Sequence, residues 1–374
     1  MDIVNAFLAV IGKIIGFVLL LGTFFTGTIS VTAPPPTQQV ATTTATFPQA
    51  EAKPVPTNGL VEPTKTATRG PLAVQVSPLP IPTQIKPITP TKSEAQINTE
   101  TRAALVNILC TPTVGINGIS GSGVVVDSRG VILTNAHIGQ YFLLRDYKIQ
   151  NNITCTVRVG SPAQERYTAT LLYLPPAWIT ANASQLKASQ ATGTGENDYA
   201  FLLITGRTDP AAALPGSFDR IEMDRSYVDV GNPMLLAAYP AGFLGNETVQ
   251  KNLYISSAIA YVTQLFSFKG TQNVDLFSIG GTVVSQGGSS GGAAVRLHDG
   301  KLAGIIATET VAATTGERDL RALSLAHIDD TLLADGKGGI VGLLVGDLAA
   351  KAAAFNTNIS PGLTAQLEAA LKGN

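Results

Sequence analysis

The sequence predicts an all-β fold, a barrel or a sandwich, beyond about residue 99. Two observations carry this. Short apolar runs rich in Val, Ile, Leu and Tyr recur there, separated by Gly, Pro, Asn and Asp turn signals. Few stretches of helical period come between them, so strands have mainly other strands to pack against.

The 374 residues suffice for one large domain or two ordinary ones, and they read as four parts. Residues 1–31 are an N-terminal membrane anchor. Ile3 to Val31 is nearly all apolar, broken by Lys13 and a few small polar residues. Ile14–Phe25 alone is short, but with Val4–Gly12 it reaches the roughly 20 residues a bilayer requires. The rival is a secretory signal peptide with Lys13 as its charged end and a cut after Ala33. Pro34 would then follow the cut, where proline fits poorly, so the anchor through residues 3–31 is preferred. Both readings put the remainder outside the cytoplasm, membrane-anchored in one case and secreted in the other.

Residues 32–98 form a Pro/Thr-rich linker. Pro34-Pro35-Pro36, Pro78-Leu79-Pro80-Ile81-Pro82 and Pro87-Ile88-Thr89-Pro90 favour extended polyproline chain, and no apolar period persists to build a core. Residues 99–335 are the folded domain. Thr101–Leu109 mixes helical and strand signals. Val124–Val126, the turn Asp127-Ser128-Arg129-Gly130 and Val131–Leu133 make a hairpin. Strands are expected at Ile153–Val159, Tyr167–Leu174, Tyr199–Ile204, Pro233–Tyr239, Asn252–Gln264, Val274–Val284, Leu302–Thr308 and Ala322–Ala326. A loop is expected at Leu174–Gly195. Residues 336–374 are a helical tail, with helices at Ile340–Phe355 and from the Ser360-Pro361 cap to Leu371. Packing of this tail against a second barrel is expected.

Charge and composition exclude several functions. A net charge of −1 offers no field for nucleic acid. The three histidines, His137, His298 and His327, have no neighbour at metal-ligand spacing, so no metal site is expected. His298, beside Asp299-Gly300, reads as a turn residue and His327 as a surface or capping residue. Cys110 and Cys155 are the only cysteines. Outside the cytoplasm they are candidates for a disulfide, the alternative being two buried thiols.

The chemistry centres on Gly287-Gly288-Ser289-Ser290-Gly291-Gly292, set between two apolar runs. A serine on a tight glycine turn can meet a substrate backbone closely, with backbone N–H groups aimed at one point. His137 follows the hairpin, and Asp198 heads the apolar run Tyr199–Ile204. The order His, Asp, Ser is a known triad order.

Gly121-Ser122-Gly123 with Leu133-Thr134-Asn135-Ala136-His137, Asn197-Asp198-Tyr199-Ala200, and Gly288-Ser289-Ser290-Gly291-Gly292 resemble the three signature blocks of trypsin-like serine proteases. The HtrA/Deg branch is the nearest in flavour, though too few residues remain after 330 for a PDZ domain. The resemblance covers residues 101–330. It implies a double six-stranded antiparallel β-barrel, with catalytic His137, Asp198 and Ser290 in the cleft between barrels. It also implies an oxyanion hole from the N–H groups of Gly288 and Ser290, and no cofactor. Protein or peptide substrates follow. The substrate pocket would have Val284 at its base and Ile306, Ala307 and Thr308 along its wall, which argues against Lys or Arg as the recognised side chain. Ser289 stands where digestive relatives have Asp, so activation by a buried new N-terminus is not expected. The expected function is a membrane-anchored, extracytoplasmic serine endopeptidase. The alternative is a catalytically silent member of the same fold that binds or senses.

Overall fold

A computed structural model describes residues 91–187, 195–268, 273–309, 314 and 316–372. The expected anchor and the linker up to residue 90 lie outside the described residues. Among the described residues no helix is long and apolar enough to cross a membrane.

Six strands form the first unit of the fold: β1 (Leu105–Pro112), β2 (Ile119–Asp127), β3 (Val131–Thr134), β4 (Ile153–Val159), β5 (Gln164–Tyr173) and β6 (Ala200–Arg207). They close a barrel in the order β1-β2-β3-β6-β5-β4 with every pair antiparallel. Closure removes the unpaired edges an open sheet would present. Ile108, Val124, Ile132, Leu133, Val157 and Phe201 are fully buried in this part of the core. The β2–β3 turn forms because Asp127 Oδ1 accepts the Arg129 N–H at 2.8 Å and the Asp127 carbonyl accepts the Gly130 N–H at 2.9 Å.

The second sheet has seven strands: β7 (Pro233–Ala238), β8 (Ser256–Tyr261), β9 (Gln264–Phe266), β10 (Leu276–Gly280), β11 (Ala293–Arg296), β12 (Leu302–Glu309) and β13 (Leu320–Ser324). Their order is β8-β7-β11-β12-β13-β10-β9. The two end strands are successive pieces of one stretch. Val262 between them donates to the Asn232 carbonyl beside β7 at 3.0 Å, and Thr263 donates to Ser278 on β10 at 2.8 Å. One stretch thus serves both ends of the sheet, which curls it toward a second barrel. The long strand expected at Asn252–Gln264 is split at this bend.

The helices depart furthest from expectation. Helix α1 (Glu94–Ala104) begins inside the stretch assigned to the linker, because Ser93 caps it through a 3.2 Å bond from the Gln96 N–H and Ile97 is buried. Helix α2 (Ala136–Leu143) puts His137 in a first helical turn. Helix α3 (Pro176–Asn182) and a 3-10 turn (Ala183–Lys187) occupy part of the expected 174–195 loop, with Trp178 and Ile179 buried. Helix α4 (Asn246–Lys251) follows β7. Helix α5 (Leu325–Ala334) takes in the end of the strand expected at Ala322–Ala326. The single helix expected over Ile340–Phe355 is two, α6 (Gly339–Leu344) and α7 (Leu348–Asn358), because Asp347 caps the second through a 3.0 Å bond from the Ala350 N–H. Helix α8 (Ser360–Lys372) ends the described chain.

The tail packs on the first barrel, not the second as expected. Asn356 donates to the Leu171 carbonyl of β5 at 2.7 Å, and Thr364 donates to the Leu143 carbonyl of α2 at 3.0 Å. The Phe355 and Tyr173 rings meet edge-on at 5.8 Å. The physical reason is the apolar outer end of β5, which α7 covers. His327 is not the surface or capping residue expected. It is buried in α5, with Nδ1 3.0 Å from Asp275 Oδ1 and the Phe268 ring packed on it. His298 lies in the β11–β12 turn beside Asp299.

Cys110 and Cys155 stand opposite each other in the β1–β4 ladder and are joined as a disulfide. The bond spans 45 residues, for which the chain-entropy account gives about 4 kcal/mol as an upper figure. Replacing both cysteines by alanine should therefore lower the Tm by on the order of 10 °C. A calorimetric shift under about 2 °C would show that the bridge constrains little.

Candidate active site

Asp198 is aimed by the turn before β6. Its N–H donates to the Gly195 carbonyl at 3.1 Å, and Asn197 takes the left-handed conformation that Asn tolerates, at φ 60°. Asn135 caps α2 and donates through Nδ2 to the Asp198 carbonyl at 2.7 Å. The carboxylate then receives the His137 N–H on Oδ1 at 3.0 Å and His137 Nδ1 on Oδ2 at 2.8 Å. An ionised carboxylate only accepts, so Nδ1 carries the proton and Nε2 of the neutral ring presents its lone pair. Asp198 is 5% exposed, whereas 27% of the His137 side chain remains open.

Burial of the His137 ring disfavours its charge, but the attraction of Asp198 and its hydrogen bond outweigh that and raise the pKa above the ordinary histidine value. The folded state therefore favours the protonated ring. That stabilisation is present below the ordinary value and is lost as pH rises through the raised one.

The glycine loop directs its N–H groups through its carbonyls. In a planar trans peptide the C=O and the next N–H point opposite ways. The Gly287 carbonyl is held by the Ala241 N–H at 2.7 Å, and the Ser289 carbonyl by the Gly292 N–H at 2.9 Å. The N–H groups of Gly288 and Ser290 face away from those anchors, and among the described residues neither donates a hydrogen bond. Glycine is required at two points here. Gly288 has φ 90° and a Cβ there would stand 2.7 Å from the Tyr239 carbonyl; Gly291 has φ 81° and a Cβ would overlap the Ser122 carbonyl.

Ser290 is half-buried, and its carbonyl accepts the Ser122 N–H of β2 at 2.8 Å. That bond ties the loop to the first barrel. His137 and Asp198 are in direct contact, but no hydrogen bond joins Ser290 Oγ to His137 Nε2. Ser289 is buried, its Oγ unpartnered among the described residues.

Of the residues expected at the substrate pocket, Val284, Ile306 and Ala307 are buried. Val284 has no exposed surface and Ile306 is 2% exposed, because both pack with Ile279 and Ala322 in the core of the second sheet. Ala307 is 6% exposed. Thr308 lies on β12 opposite Arg321. Apolar surface lies instead at the loop's flanks, where Phe243, Leu244 and Val283 are exposed. Among the described residues no group of three His, Cys, Asp or Glu side chains could hold a metal ion.

Residues 121–305 match the family model described as the trypsin-like peptidase domain. These residues are a trypsin-like peptidase domain. The match runs from β2 into β12 and takes in His137, Asp198 and Ser290. Among solved structures, the chain is similar to the crystal structure of the Rv3671c protease from M. tuberculosis in its active form. The identity is 18% over 68% of this chain and 93% of that one, with a TM-score of 0.39. No curated protein sequence matches the chain. The peptidase domain also uses residues to which the sequence alone assigned no role. Asn135 sits inside the His137 block, so its polar side chain was a readable signal. Tyr239 and Ala241 act through backbone N–H groups, to Ser122 Oγ at 2.9 Å and to the Gly287 carbonyl at 2.7 Å, which side-chain identity does not advertise.

Proposed function

We propose that the chain is a serine endopeptidase acting through His137, Asp198 and Ser290. The observation that carries this is the 2.8 Å His137–Asp198 contact beside a loop whose Gly288 and Ser290 N–H groups are left unspent. In this reading Ser290 Oγ attacks the scissile carbonyl and gives its proton to His137 Nε2. The carbonyl oxygen gains charge, which the Gly288 and Ser290 N–H groups receive. The tetrahedral species expels the amine, which leaves with the proton from His137, and an acyl-serine remains. Water repeats the sequence and frees the acid. Asp198 keeps the proton on Nδ1 throughout and offsets the imidazolium charge. The exposed Phe243, Leu244 and Val283 and the buried Val284 favour substrates with apolar side chains, small at the cleaved residue. The Cys110–Cys155 bond supports an extracytoplasmic location, and the apolar run at residues 3–31 is proposed as its membrane anchor.

The missing Ser290–His137 hydrogen bond favours a second reading, a silent domain that binds peptides without cleaving them. A fluorophosphonate probe separates the two. Labelling at Ser290, abolished in Ser290→Ala, supports the peptidase; a folded wild-type protein that stays unlabelled supports the silent domain.

The raised His137 pKa sets the acid side of the activity. Because the base must be neutral, kcat/KM should fall with a midpoint above about 6.5 as pH decreases. A pH profile still flat at about pH 5 would be incompatible with His137 as the base.

A further inference from the structure

Ser122 on β2 has no exposed surface, and its N–H and hydroxyl are both used on the glycine loop and its flank. Its N–H donates to the Ser290 carbonyl at 2.8 Å, and its carbonyl accepts Thr134 Oγ1 at 2.7 Å. Its Oγ donates to the Gly288 carbonyl at 2.8 Å and accepts the Tyr239 N–H at 2.9 Å. Alternation along the strand explains why one hydroxyl lies between two glycines. A Cβ at Gly121 would overlap Ile138, and one at Gly123 would stand 2.7 Å from Ile132, so both face packed side chains of the first barrel. Ser122 faces the other way, toward the second sheet.

We propose that Ser122 is a positioning residue for the reaction, steadying the Gly288 oxyanion donor by fixing the peptide plane on the far side of the Gly288 Cα. This rests on the peptidase reading above. A peptide plane turns as a unit about the torsions on either side of it. Ala241 fixes the plane before the Gly288 Cα and Ser122 Oγ fixes the plane after it. With both pinned, the Gly288 N–H has one direction. Without the hydroxyl, the second plane is held only by the Ser289 N–H to the Gln286 carbonyl at 3.2 Å, and glycine offers little torsional resistance. The buried Tyr239 N–H would also lose its acceptor.

The test is Ser122→Ala, compared with wild type per folded molecule by circular dichroism. Losing one oriented donor should lower kcat for a peptide substrate about 10²-fold while KM stays within about threefold. A peptidyl boronate should bind more weakly by about the same factor, and a product-like peptide should bind as before. A purely structural role would lower the Tm and leave kcat per folded molecule unchanged. Should the alanine variant not fold, Ser122→Cys keeps the shape with a weaker donor and should give a smaller fall of the same kind. Either folded variant with kcat within about threefold of wild type overturns the proposal alone. A wild-type protein that neither cleaves peptides nor labels at Ser290 overturns the peptidase reading, and this proposal with it.

Discussion

Peptide hydrolysis by Ser290→Ala should be about 10⁵–10⁶-fold slower than by wild type, with an unchanged Tm. The size of the loss follows from what is removed. Without Oγ there is no acyl-enzyme, so His137 has no nucleophile to deprotonate. What remains is binding together with the unspent N–H groups of Gly288 and Ser290. The fold should not notice, because Ser290 is only half-buried and its bond to Ser122 uses the backbone carbonyl. Turnover within about tenfold of wild type, after contaminating proteases are excluded by inhibitor titration, would remove Ser290 from the mechanism.

Asp198→Asn should lower kcat about 10⁴-fold. An amide can donate to His137 Nδ1 where the carboxylate only accepts. The ring proton then moves to Nε2, which can no longer take a proton from Ser290. A second signature distinguishes this from loss of packing. The carboxylate is what raises the His137 pKa against burial, so any residual acid limb should shift downward. Fluorophosphonate labelling should slow in parallel. A variant that loses activity through unfolding would show neither the shifted limb nor a retained Tm.

Much of this was legible in the sequence because local chemistry and tertiary role coincide. The β2–β3 hairpin announced itself through Asp127 and Gly130, and the same turn chemistry builds it. The His, Asp and Ser blocks could be found because each pairs a reactive side chain with small neighbours that let backbone approach. The helices were less readable. Helix α1 depends on a capping serine at the end of a proline-rich stretch, where composition points to a linker. His327 looked peripheral because its partner Asp275 is 52 residues away. Burial of such a pair is decided by sheet topology, which no local window contains. The burial of Val284 was unreadable for a related reason. Counting back from Ser290 reaches Val284, but whether Val284 meets solvent depends on how Ile279, Ile306 and Ala322 crowd it.

The C-terminal helices bear on the order in which the candidate site is assembled. Residues 348–372 are synthesised after Ser290, yet they brace the other half of the site. Thr364 holds the Leu143 carbonyl at the end of the helix whose first turn carries His137. Asn356 and Phe355 seal the strand that pairs with the one following Asp198. In a growing chain the Ser290 loop is therefore made before the helix that carries His137 is braced at its far end.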